Sequence, residues 1–142
     1  LNVVDVIELT MDIFNEEYVH FKAEEAVIIS KIDRTQLIRI ITNLVKNAIQ
    51  AFPENQQSKA VCVNVKKVLS NVIITVADNG MGIATEDFNR IFEPKFTTKS
   101  SGMGLGLGII KNIIENYKGT ITLESQIGKG TTFTVSLPII NT

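Results

Sequence analysis

Three groups of residues have types and spacings that could do chemistry, and the first is a pair of asparagines on one helix. Asn43 and Asn47 are four residues apart, so they project one above the other, about 40° apart around the axis. On a helical wheel they fall at the edge of an apolar stripe, with Gln50 further toward solvent. Two amides at a core border can also serve only to bridge the backbone, so the pair alone leaves its role open.

The second group is the segment 78–83, Asp-Asn-Gly-Met-Gly-Ile, which follows an apolar strand. A carboxylate at Asp78 is poorly solvated there unless hydrogen-bond donors reach it. Gly80 and Gly82 permit positive φ and would let the backbone approach a flat ligand closely. Asp-Asn-Gly at the end of a strand is also a good turn sequence, so a purely structural reading stays open.

The third group is the segment 102–108, Gly-Met-Gly-Leu-Gly-Leu-Gly, which opens a predicted helix. Unhindered backbone N–H groups at a helix N-terminus bind phosphate oxygens. The spacing is not that of a dinucleotide-binding fold, and the Gly-Lys-Ser/Thr ending of a P-loop is absent. A glycine-rich hinge is the alternative interpretation.

The elements that must position these residues are two long helices and a sheet. Asp33 and Gln36 form the pattern of a capping box at the start of the first long helix, and Pro53 marks its end. Its apolar stripe consists of Leu37, Ile40, Ile41, Leu44, Val45 and Ala48. A second long helix carries Leu105, Ile109, Ile110, Ile113, Ile114 and Tyr117 and is expected to stop at Gly119.

Short alternating segments predict the sheet, and an amphipathic pattern with Val6, Ile7, Leu9, Ile13 and Phe14 predicts a further helix before it. Strands are predicted at 19–22, 60–68, 71–77, 120–125 and 131–137, with 27–30 as one more possibility. Tight turns are expected at 69–70 and 128–130. The order of elements predicts an α+β fold, a two-layer sandwich with a mixed, mostly antiparallel sheet and helices on one face.

Composition limits the classes of protein that fit. The 142 residues are 44% hydrophobic and 20% charged with a net charge of −1, which predicts one globular domain over residues 1–142. Near-zero charge argues against a nucleic-acid partner, and no apolar run approaches the roughly 20 residues of a membrane span. The lone Cys62 cannot form an internal disulfide, so we expect a cytoplasmic domain and a small buried strand residue at Cys62. The abrupt ends favour a fragment of a longer protein.

Five motifs in fixed order carry a resemblance to a known family. They are Asn-x-x-x-Asn at 43–47, Asp-Asn-Gly-x-Gly-Ile at 78–83, Phe-Glu-Pro-x-Phe-Thr-Thr-Lys at 92–99, Gly-x-Gly-Leu-Gly-Leu at 102–107 and Gly-Thr-Thr-Phe at 130–133. From about Asp33 to Pro138 the sequence resembles the ATP-binding catalytic domain of sensor histidine kinases. That family shares the Bergerat fold of the GHKL superfamily with type II topoisomerases, the ninety-kilodalton chaperone and mismatch-repair ATPases.

The resemblance implies a site for ATP and Mg²⁺. Asn47 would bind the metal, Asn43 would support it in catalysis, and Asp78 would accept a proton from the adenine amine. Phe92 to Lys99 would form a lid, in which Lys95 departs from the aromatic residue that many relatives carry. The implied nucleotide-binding residues are Asn47, Gln50, Asp78, Gly80, Gly82, Ile83, Thr98, Lys99, Gly102, Met103, Gly104, Leu105, Gly106, Leu107 and Thr131 or Thr132, the last through water.

The residue at Asn43 bears on whether ATP is hydrolysed or used as a phosphate donor. Hydrolytic relatives place a glutamate there, and an amide is a poor base for activating water. The resemblance therefore favours transfer of the γ-phosphate to a histidine, and His20 is expected to be structural because its setting is strand-like. The acceptor would lie on a helical dimerisation domain of the same protein, which then passes the phosphoryl group to a response-regulator receiver domain.

Two other functions stay open: an ATP-gated clamp or serine-directed kinase of the same superfamily, and an interaction module that binds no nucleotide. The chain itself is expected to be monomeric, and whether the parent protein is anchored in a membrane is left open.

Overall fold

The computed structural model of the chain describes residues 1–14, 16–93 and 104–139, with the side chains of residues 104 and 105 excepted. In chain order its elements are α1 (Val3–Met11), β1 (Val19–Ala23), α2 (Arg34–Gln50), β2 (Val61–Val68), β3 (Asn71–Asp78), a 3-10 turn (Thr85–Asp87), α3 (Gly104–Asn116), β4 (Thr120–Gln126) and β5 (Gly130–Pro138). Within these residues no helix combines the length and apolar character needed to cross a bilayer.

The five strands form one sheet in the order β1-β2-β3-β5-β4. β1 runs parallel to β2, and the other neighbouring pairs are antiparallel. Val63, Val76 and Phe133 stand side by side across β2, β3 and β5 and are all buried. Successive side chains of a strand point to opposite faces. Because the helices cover only this face of the sheet, alternate residues lie in the core and on the outer surface. The α+β prediction is confirmed.

α2 is the helix on which the core is built. The whole predicted stripe, from Leu37 to Ala48, is buried, and each of its Leu, Ile and Val side chains contributes about 1.5–3 kcal/mol of transfer free energy. Asp33 is the N-cap, and its Oδ2 accepts from the backbone N–H of Gln36 at 3.2 Å. In a capping box the side chain three residues on, here Gln36, would accept from the backbone N–H of the N-cap. In this structure the N–H of Asp33 instead donates to the hydroxyl of Tyr117 at 3.0 Å.

α3 lies antiparallel to α2, since Tyr117 contacts Asp33 while Gly106 contacts Asn43. The expected stop at Gly119 is wrong in one respect: Lys118, with φ 63°, adopts the left-handed conformation. The N–H of Gly119 then bonds to the carbonyl of Ile114 at 2.9 Å, which completes a Schellman motif. Gly119 is needed for a different reason, because a Cβ there would overlap the carbonyl oxygen of Ser136.

Three predictions about burial or strands are not borne out. Cys62 is exposed, because it alternates out of phase with the buried valines of β2 and the outer sheet face has no helix on it. Ile109 is 50% exposed, on the side of α3 that faces away from the sheet. Residues 27–30 do not form a strand. They make one isolated bridge, between Ile29 and Asn2, because the N-terminal segment offers a single ladder pair before α1 begins.

α1 also departs from its predicted pattern, since it ends at Met11 and leaves Leu9 and Ile13 exposed. Its opposite side, with Val3 and Ile7, joins the same core as α2.

Candidate functional site

The C-terminal half of α2 presents the predicted amides. Asn47 is only 8% exposed, and its Nδ2 has no hydrogen-bond partner among the described residues. Asn43, one turn earlier, is half-buried, and its Nδ2 makes a long 3.5 Å contact with the carbonyl oxygen of Gly106. Gln50 is exposed in the last turn of the helix. A buried amide nitrogen without a partner is costly in a finished core, which makes Asn47 a candidate for contact with a ligand.

The carboxylate of Asp78 lies on the helix-facing side of the sheet, in line with Val72, Ile74 and Val76 along β3. Burial raises its pKa, and hydrogen bonds from the backbone N–H groups of Gly80 and Thr131 oppose that effect without cancelling it. The Gly80 bond measures 2.8 Å. Because the net shift is upward, the ionised group is incompletely solvated by the protein, and a donor from a ligand would stabilise it.

Strand register decides between the two candidate threonines. Thr131 is the direct partner of Asp78, and it is 4% exposed on the helix-facing side. Thr132 pairs with Ala77, so its side chain lies on the outer face of the sheet. The structure therefore brings Thr131 to the carboxylate and does not bring Thr132 there.

Ser125, which the sequence interpretation missed, completes this row. It is the β4 partner of Thr131, so Asp78, Thr131 and Ser125 stand side by side across three strands. Its Oγ lies 2.7 Å from Thr131 Oγ1 and accepts from the N–H of Ile83 at 2.7 Å. The observed hairpin is centred on Gly128, whereas counting outward from the predicted turn at 128–130 would pair Ser125 with Phe133, so the predicted turn alone does not give this pairing.

The glycines of the segment 78–83 are required by contacts within the protein. A Cβ on Gly80 would lie 2.7 Å from the carbonyl oxygen of Ala51, to which Met81 N donates at 2.9 Å. Gly82 has φ 79°, and a Cβ there would overlap the carbonyl oxygen of Gln126. The segment is thus fixed between the end of α2 and the β4–β5 turn, which holds Asp78 and half-buried Ile83 in position.

Asn79 fastens the same segment to the loop before β2. Its Oδ1 accepts from the N–H of Ala60 at 2.8 Å, and its Nδ2 donates to the carbonyl of Ser58 at 3.0 Å. Gln56 Nε2 in turn donates to the carbonyl of Asn79 at 2.8 Å. The backbone beside Asp78 is therefore braced on both sides.

The glycine-rich start of α3 adjoins the amides. α3 begins at Gly104, and a Cβ on Gly106 would approach the amide of Asn43 to 3.2 Å. Leu107 is 3% exposed, so its side chain belongs to the core. Thr98, Lys99, Gly102 and Met103 lie outside the described residues, as does Lys95, and for Leu105 only the backbone is described.

α2 links these two groups of residues into one candidate site, which we call the cleft. Asn43 contacts the start of α3, Ala51 contacts the segment that follows Asp78, and Asn47 lies one turn from each. The arrangement offers a carboxylate acceptor at one end. At the other end are the Asn47 Nδ2, which has no partner among the described residues, and the first turn of α3. A ligand with an amine at one end and anionic oxygens at the other fits this distribution.

Comparison with known proteins shows the family. A family model described as "Histidine kinase-, DNA gyrase B-, and HSP90-like ATPase" matches residues 32–141. The sensor histidine kinase ZraS of Escherichia coli (strain K12) is 40% identical over 124 residues, which cover 87% of this chain and 26% of ZraS. Sporulation kinase A of Bacillus subtilis (strain 168) is 42% identical over 106 residues, 75% of this chain and 17% of that kinase. The chain thus spans about a quarter or less of these relatives.

Solved structures agree with the sequence matches. The nucleotide-free catalytic domain of the histidine kinase ThkA superimposes with a TM-score of 0.85 at 30% identity, covering 98% of this chain and 93% of that domain. A structure of ThkA in complex with the response regulator protein TrrA gives a TM-score of 0.82 at 28% identity, covering 99% of this chain and 41% of that one.

Proposed function

Because the chain belongs to the histidine kinase-, DNA gyrase B- and HSP90-like ATPase family, we propose that its cleft binds Mg-ATP and donates the γ-phosphate to a histidine on a separate domain. The observation that carries the proposal is that α2 connects an incompletely solvated carboxylate, Asp78, with the buried side chain of Asn47, whose Nδ2 has no partner among the described residues. Each end lacks what the corresponding end of ATP would supply.

At one end, Asp78 accepts an N–H from the exocyclic amine of adenine. A hydrogen bond to a charged group is worth about 1.5–3 kcal/mol. Because this carboxylate is partly desolvated, a donor from the ligand would stabilise its ionised form. A 6-oxo purine would set a carbonyl oxygen against the carboxylate and be rejected. The brace through Asn79 and Gln56 keeps the acceptor in place before the base arrives.

At the other end, the amide of Asn47 fits a site for magnesium and phosphate. Its Nδ2 has no acceptor among the described residues. A rotation of the amide by 180° would put Oδ1 in the position of Nδ2, where the oxygen could bind a cation. Mg²⁺ takes one or two protein oxygens and completes its shell with phosphates and water, so it would supply charge neutralisation there. Backbone N–H groups at Gly104 and Gly106, in the first turn of α3, would bind phosphate oxygens.

Transfer rather than hydrolysis follows from the chemistry of Asn43. Its amide adjoins the start of α3 at Gly106, and an amide does not take a proton from water at neutral pH. Phosphoryl transfer depends mainly on positioning and charge stabilisation, which this cleft supplies without a base. The attacking nucleophile then comes from the acceptor, a histidine imidazole that needs little activation.

The acceptor and partners lie outside this chain in the proposal. The chain spans about a quarter of ZraS, which leaves room in a parent protein for a helical dimerisation domain carrying the histidine, followed by transfer to a receiver domain. His20 is exposed on β1 and is not proposed as the acceptor. We further propose that residues 1–142 act as one unit, which the shared core of α1 and α2 supports, and that this unit is cytoplasmic and monomeric.

The test is phosphotransfer by the parent protein supplied with γ-labelled ATP. We expect label on the polypeptide that is stable in alkali and lost in acid, as a phosphohistidine behaves. Acid-stable label on serine would contradict the proposal in favour of a serine-directed kinase. Robust ATP hydrolysis by residues 1–142 alone would instead favour an ATP-gated clamp, and absence of ATP binding would favour an interaction module.

A further inference from the structure

Ser125 has one hydroxyl proton and three close polar neighbours. Its Oγ lies 2.7 Å from the backbone N of Ile83, 2.9 Å from the carbonyl oxygen of Gly130 and 2.7 Å from Thr131 Oγ1. The first neighbour can only donate and the second can only accept, whereas the threonine hydroxyl can do either.

Only one arrangement of protons makes all three contacts hydrogen bonds. If Ser125 donates to the carbonyl of Gly130, its lone pairs accept from Ile83 N–H and from the hydroxyl of Thr131. If Ser125 donated to Thr131 instead, its Oγ would face the Gly130 carbonyl at 2.9 Å with no proton between two acceptors. A part-buried contact of that kind is unfavourable, so Thr131 is the donor in this pair.

Thr131 has then spent its only proton on Ser125. The Thr131 Oγ1 can therefore only accept any further hydrogen bond. It stands beside the carboxylate of Asp78, the direct partner of Thr131 on β3. The wall of the cleft at this point therefore presents two acceptors. An exocyclic amine carries two N–H groups, and a water that bridges to Thr131 must likewise donate to it.

We infer that Ser125 is a specificity-determining residue. By accepting the hydrogen bond from the Thr131 hydroxyl, Ser125 leaves that hydroxyl only as an acceptor toward a ligand, so that two groups rather than one select a 6-amino purine. The inference rests on the proposed nucleotide site and assigns to Ser125 a role in choosing the base. Ser125 touches neither the base nor the phosphates in this proposal. It acts through Thr131, as a positioning residue.

The test compares dissociation constants for ADP and inosine diphosphate, which differ at the purine 6-position and at N1, an acceptor in adenine and an N–H donor in hypoxanthine. Ser125→Ala frees the proton of Thr131, which can then donate to a 6-oxo group. We expect the preference for ADP to fall about five- to tenfold, as the loss of one net hydrogen bond predicts. Ser136→Ala makes the same chemical change on the outer face of the sheet, and its preference should equal that of the unmodified chain.

A double variant separates this role from a merely structural one. Thr131→Val should lower the preference by a similar factor, and Ser125→Ala combined with Thr131→Val should lower it no further. An unchanged preference in folded Ser125→Ala, or an additive loss in the double variant, would overturn the role of Ser125. If Ser125→Ala does not fold, an unchanged preference in Thr131→Val overturns it equally. Failure of the unmodified chain to bind ADP would instead remove the proposed function itself.

Discussion

At the scale of single residues, the cleft stores an unfavourable interaction that nucleotide binding would relieve. Burial raises the pKa of Asp78 despite hydrogen bonds from the N–H groups of Gly80 and Thr131. At neutral pH the ionised carboxylate therefore costs the free protein some stability, and an amine donor would recover part of that cost.

Replacing Asp78 with Asn tests the recognition of adenine. The variant keeps an oxygen for the N–H of Gly80 but loses the charge, so we expect ADP to bind about tenfold more weakly or worse, which corresponds to about 1.4 kcal/mol or more. Isothermal titration calorimetry measures the change. Equal affinity for the variant and the unmodified chain would show that residue 78 does not read the base.

The pKa shift also predicts opposite pH trends for stability and binding. A carboxyl group whose folded pKa is raised contributes stability that is fully present below the unfolded pKa and is lost as pH rises through the folded pKa. From neutral pH downward, the free energy of unfolding should therefore rise relative to that of Asp78→Asn. Affinity for ADP should fall in the same window, because protonation removes the charged acceptor.

Urea unfolding and calorimetry across this acid range, with Asp78→Asn as the matched control, measure both trends. If the two chains respond identically to pH, the shift at residue 78 does not control either property.

At the scale of elements, the segment 78–83 is held by backbone contacts that glycine alone allows. Gly82→Ala places a residue at φ 79° and a Cβ against the carbonyl oxygen of Gln126. Gly128→Ala meets nearly the same φ, 83°, but open space. We expect Gly128→Ala to cost about 1–2 kcal/mol and Gly82→Ala about 1–3 kcal/mol more from overpacking. Urea unfolding of the two variants gives the difference, and equal losses would mean that the close approach carries no energy.

The elements themselves were largely predictable, because local patterns specify them. The stripe of α2 from Leu37 to Ala48 follows the helical period and is buried as expected. The prediction for Cys62 is wrong because it rests on residue type and not on position along the strand. In β2, Cys62 alternates with buried valines, and only one face of the sheet is covered. For a strand in such a sheet, phase outweighs the intrinsic preference of a residue for the interior.

Contacts between distant segments account for what the sequence interpretation missed at the site. The asparagine pair, Asp78 and the α3 start were singled out from motifs, and the structure brings Asn43 to α3 and the Asp78 segment to the end of α2. The hydroxyl network around Ser125 and the tie from Tyr117 to Asp33 join residues 42 and 84 positions apart. No local period encodes such pairs, and the turn predicted at 128–130 is displaced from the observed centre of the hairpin at Gly128.

At the scale of the whole molecule, α2 couples both ends of the cleft to one core. Its buried stripe packs with α1 and with the sheet, while Asn43, Asn47 and Ala51 lie along the side that lines the cleft. A ligand that spans the cleft therefore contacts three parts of the fold at once. Unfolding must release it completely, so binding should stabilise the domain as a unit.

Thermal unfolding with Mg²⁺ and ADP measures that coupling. At a free ADP concentration a hundred times the dissociation constant, the free energy of unfolding should rise by about 2.7 kcal/mol, seen as a higher Tm. Asn47→Ala should lose the part of this gain that depends on Mg²⁺, so that its ADP response is the same with the metal or with a chelator. Lys46→Ala, the exposed neighbour on α2, should keep the full difference. A Mg²⁺-dependent gain that survives in Asn47→Ala would assign the metal to another ligand and separate the two ends of the cleft.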